Sequence, residues 1–61
     1  MWFFGYKKAD ESEIKISPAK EDPQFLQDLQ IRMNENNNMV SELFEADDKV
    51  EALAFARNQL Q

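Results

Sequence analysis

The amino-acid sequence predicts an all-α fold, a helical hairpin over about residues 23–36 and 39–60 preceded by an extended aromatic N-terminal segment. Three observations lead there. Asp22-Pro23 is a helix start, since an aspartate accepts orphan N–H bonds and proline loses nothing at the first helical position. Phe25, Leu26, Leu29 and Met33 then repeat at helical spacing. Farther on, Met39, Leu43, Ala46, Val50, Leu53, Arg57 and Leu60 alternate steps of four and three, the pattern of a heptad seam.

The chain divides into three segments, an aromatic anchor (1–8), a polar tether (9–22) and the hairpin (23–61). Trp2, Phe3, Phe4 and Tyr6 crowd around Gly5, ahead of Lys7 and Lys8. The tether holds Ser17-Pro18, which disfavours helix at Ser17. Its only apolar residues larger than alanine are Ile14 and Ile16, spaced for a short strand or for a loop that tucks two side chains onto a neighbour. Within the first helix Ile31 falls opposite the apolar stripe, exposed or used by a partner. "NENNN" at 34–38 marks the helix end and turn, because asparagine competes for backbone bonds and tolerates left-handed backbone. "DKVE" at 48–51 has the form of a helix start, but the unbroken seam favours one helix across it.

With 61 residues the chain buries only about 60% of its unfolded surface, so its core is marginal. Cysteine and histidine are both absent. Disulfides and thiolate metal sites are therefore excluded, and so is the usual general base. No nucleophile has an activating histidine, no glycine-rich phosphate loop exists, and the carboxylates lack a calcium-loop spacing. Neither catalytic residues nor cofactor or metal ligands are expected. The net charge of −5 opposes nucleic-acid binding. No apolar run reaches the ~18–20 residues of a membrane span, and the lysines follow the aromatic run rather than preceding it as in a signal peptide. A place in the cytoplasm or within a macromolecular assembly is the expectation.

On a single helix over 39–60 the apolar arc spans on the order of 200°, where one packed neighbour needs about 100°. Val40, Phe44 and Phe55 form its uncovered flank. The aromatic head folding back, a second copy, or a different protein could cover them. Aromatic side chains give large contact area at low entropy cost. Trp2, Phe3, Phe4, Tyr6, Val40, Phe44 and Phe55 are accordingly the expected partner-binding residues, and Met39, Leu43, Val50, Leu53 and Leu60 the helix seam. The function expected is that of a small acidic adaptor, regulator or inhibitor docking on a larger protein. The alternative is a structural helical subunit of a virion or multiprotein assembly, self-associating through its seam. Contact of the aromatic head with a membrane surface is a lesser possibility.

Overall fold

The aromatic N-terminus is one extended run that contributes a strand to each of two small antiparallel sheets. The computed structural model describes residues 1–61 and orders them as β1 (Trp2–Phe3), β2 (Gly5–Lys8), β3 (Lys15–Ile16), α1 (Gln24–Glu35), β4 (Asn38–Val40), β5 (Phe44–Glu45) and α2 (Lys49–Leu60). β1 and β2 are two halves of one extended run. On one side Gly5 and Tyr6 pair with Ile16 and Lys15, and Trp2 bridges to Lys20. On the other, Tyr6, Lys7 and Lys8 pair with Val40, Met39 and Asn38, while Phe3 and Trp2 pair with Phe44 and Glu45.

The all-α helical hairpin is thus overturned; the fold is mixed, two helices on antiparallel strands. The first helix stands close to its expected bounds. Asp22 accepts from the Gln24 N–H at 2.9 Å, one residue ahead of Pro23 at the formal cap position, and helix ends blur by a residue or two. Asn37 at φ 66° closes the helix in the left-handed region, and Asn36 and Asn38 donate side-chain bonds to the last-turn carbonyls of Arg32 and Met33, which also accept the Asn36 N–H. The helix over 39–60 does not exist as one element. Its first part is β4 and β5, and α2 begins where Asp48, extended at φ −153°, accepts from the Glu51 N–H at 2.9 Å. The spacing of four and three was coincidental. Phe44-Glu45-Ala46-Asp47 alternates buried and exposed, the period of a strand, and it becomes one because the N-terminal strand lies beside it.

Both flanking strands slip by one residue against the central strand, just before Phe4 on the β3 side and just before Gly5 on the β4–β5 side. A one-residue bulge leaves a ladder donor unpaired, and a serine takes each one. Phe4 N–H donates to Ser17 Oγ at 2.9 Å, and Gly5 N–H donates to Ser41 Oγ at 2.7 Å. The same serines return backbone bonds, Ser17 N–H to the Phe4 carbonyl and Ser41 N–H to the Gly5 carbonyl. The peptide group between Ser41 and Glu42, turned out of the ladder, is held from both helices. Gln30 of α1 donates to its carbonyl at 2.9 Å, and Gln59 of α2 accepts from its N–H at 3.0 Å.

The core lies on both faces of the central strand. Phe3, Phe44, Ala46, Ala52 and Ala56 form one cluster, with Ile14, Ile16 and Ala19 packed against it. Gly5 points to the same face, where an added Cβ would collide with the Ala56 Cβ. That close approach of helix to strand requires glycine on one side and alanine on the other. Strand alternation sends Phe4 and Tyr6 to the opposite face, with rings 6.0 Å apart. Phe4 is fully buried outside the Phe3 cluster, and α1, which buries Leu26, is the element available to cover it. The accessible surface is 4228 Å², close to the roughly 4,100 Å² expected of a folded monomer of this mass. The long helix and its arc do not form: Phe44 is buried in a strand beside Phe3, while Met39, Val50 and Phe55 stay exposed.

Gly5→Ala is expected to destabilise the fold by about 1–3 kcal/mol through overpacking, and Ala56→Gly in that background to recover part of the loss. Denaturant titration of the single and double variants checks this. Ser41→Ala, which strands the buried Gly5 N–H, is expected to cost about 1–3 kcal/mol in the same measurement.

Candidate interaction surface

The expected partner-binding residues divide between core and surface. Phe3, Phe4 and Phe44 are buried, and Trp2, Tyr6 and Val40 are half-buried in or beside the sheet. Phe55 alone among them is largely open; one side of its ring closes on Phe44, with centroids 4.5 Å apart, and Phe44 in turn stacks on Phe3 at 6.4 Å. The seam residues are scattered. Met39 is exposed on β4, Leu43 sits half-buried at the bulge, and Val50 stands out in the first turn of α2. Leu53 and Leu60 do stay together, half-buried on the side of α2 that also buries Ala52 and Ala56.

Sequence reasoning placed Phe25 in the inward stripe of α1, yet it is the most exposed aromatic residue at 71%. Its place is explained by Gln30. The inward face of α1 runs through Leu26, Leu29, Gln30 and Met33, and Gln30 belongs there because the turned-out Ser41 carbonyl needs a donor. Centring the helix on Leu26 and Gln30 leaves Phe25 about 120° away in azimuth, off the inward face. Ile31, expected on the outer face, is exposed there. The signal for Phe25 was the partner of Gln30, which no local pattern announces.

Phe25 meets Met1 across a shallow groove of about 490 Å³, floored and rimmed by Ala19, Lys20, Glu21 and Asp22. Two elements position it. The N-terminal amine donates to the Ala46 carbonyl at 3.3 Å and so holds Met1 at the end of the central strand. The Trp2–Lys20 bridge brings residues 19–22 alongside, and α1 starts immediately after. The result is two apolar side chains flanked by charges of both signs. The acidic residues Glu45, Asp47, Asp48 and Glu51 lie exposed around the start of α2, where negative charge favours the helix dipole. No group of acidic side chains is placed to hold a metal ion. No helix is long and apolar enough to cross a membrane.

Comparison with protein-family models, with curated proteins and with solved structures finds no match.

Phe3→Ala and Phe4→Ala are each expected to cost about 3–5 kcal/mol, enough to unfold a chain with so small a core. Phe25→Ala is expected to change stability by under about 0.5 kcal/mol. Thermal melts followed by circular dichroism separate the two classes.

Proposed function

We propose that this chain is a small acidic, non-catalytic interaction protein, working in the cytoplasm or within a macromolecular assembly, that docks on a larger protein as adaptor, regulator or inhibitor. The observation that carries the reading is Phe25, a large aromatic side chain left 71% exposed beside Met1 at a groove, on a chain whose other aromatic residues, Phe55 apart, are buried or half-buried. Exposed aromatic side chains at concave rims serve as binding anchors. The anchoring role therefore moves from the N-terminal aromatic run, which the core consumes, to the start of α1.

The absence of histidine and cysteine supports a non-catalytic role. So does the use of the two buried hydroxyls, since Ser17 and Ser41 each accept a backbone N–H and donate to a backbone carbonyl. A net charge of −5 favours a protein over a nucleic acid as partner.

Phe25→Asp tests the reading without touching the core. Captured from extracts of the native host, a larger protein is expected to be retained by the wild-type chain and lost from the variant, with both chains melting alike. Equal retention by the two would remove Phe25 from the interface.

A further inference from the structure

The sheet has two edges, β4 on one side and β3 on the other. Past the end of β4, the Ser41 carbonyl and Glu42 N–H are occupied by Gln30 and Gln59, and the Asn38 side chain is tied back to the Met33 carbonyl. β3 forms the other edge, with no strand beyond it. There Lys15 and Ser17 face inward, toward Tyr6 and Phe4. Antiparallel alternation then turns the backbone groups of Ile14 and Ile16 outward. The open run is short, because Pro18 has no N–H and its carbonyl already accepts from Ser17 Oγ.

We propose that a second copy of this chain pairs with this edge, antiparallel about a twofold axis at Ile14, joining the two sheets into one. Charge selects the register. Placing Ile14 opposite Ile16 of the second copy would set Lys15 against Lys15, and like charges directly opposite are destabilising. Centring on Ile16 would set Pro18 opposite Ile14 and lose a donor. Centring on Ile14 sets Glu13 of each copy opposite Lys15 of the other, two complementary pairs from one symmetry operation. Glu13 and Lys15 are both exposed, and on the other face the half-buried Ile14 of each copy meets its equivalent. Because the twofold operation uses the β3 edge of both copies, the pairing is complete in the dimer.

This pairing is independent of the Phe25 surface, and Phe25→Asp is expected to dimerise as the wild type does. Sedimentation velocity up to millimolar concentration is expected to show a concentration-dependent dimer for the wild-type chain. Glu13→Lys and Lys15→Glu are each expected to weaken it on the order of tenfold, and the double reversal to restore it. A general effect of net charge would instead move the two single variants in opposite directions. A monomer at all concentrations, an equal dimer in all four chains, or a double variant no better than the singles would overturn the proposal. Circular dichroism melts of the four chains confirm that exposed-residue changes left the fold intact.

Discussion

The hydroxyl groups of Ser17 and Ser41 hold the central strand where its two neighbours slip out of register. At Phe4 and Gly5 the ladder would otherwise fail on both sides at once, leaving two buried N–H donors without acceptors. An unsatisfied buried donor costs about 1–3 kcal/mol, a large share of the stability of a chain this small. The serines bridge the gap with short side chains that accept from the central strand and donate to their own strand's carbonyls. With that constraint met, Phe3 and Gly5 can face α2 while Phe4 faces the other side. Both faces of one strand then become core.

The bulge also joins the layers. Because the Ser41–Glu42 peptide cannot bond within the sheet, its carbonyl and its N–H go to glutamines of different helices. One peptide group is thus shared by α1, the sheet and α2. The same bonds explain features that look unrelated, such as a glutamine on the inward face of α1, an aromatic residue left off that face, and a sheet edge with no free groups at the slip. On the α2 side the close approach comes from Gly5 against Ala56, so small residues carry the packing that larger side chains carry elsewhere.

A core built around the N-terminal strand has consequences for the surface. Aromatic residues clustered at a chain end read as an anchor for something else, yet here Phe3 and Phe4 are buried in the core. The apolar residues left over are few and dispersed: Phe25 with Met1 at the groove, Ile31, Val50, and Phe55 resting on Phe44. The short edge of Ile14 and Ile16 is a surface of a different kind, backbone rather than side chain. The two proposed modes of association fall on separate parts of the molecule.

Local signals were legible in the sequence wherever the residues that define an element also complete it. Asp22-Pro23 starts α1, and the asparagines end it with Asn37 in the left-handed region. Ile14 and Ile16, two apart, mark the strand edge, and Asp48 with Glu51 contains the start of α2, although the apparent seam argued against a break there. What only the tertiary structure decided is the state of residues 38–47 and the fate of the aromatic head. A stretch containing Met39, Leu43, Ala46 and Val50 can satisfy its backbone within a helix or against a strand, and its spacing suits both. The N-terminal strand, brought in from the other end of the chain, supplies the ladder partners that settle it. Hydrogen bonds between segments so distant leave no periodicity in either one, which is why the sheet, the inward Gln30 and the outward Phe25 were invisible to a reading of local pattern.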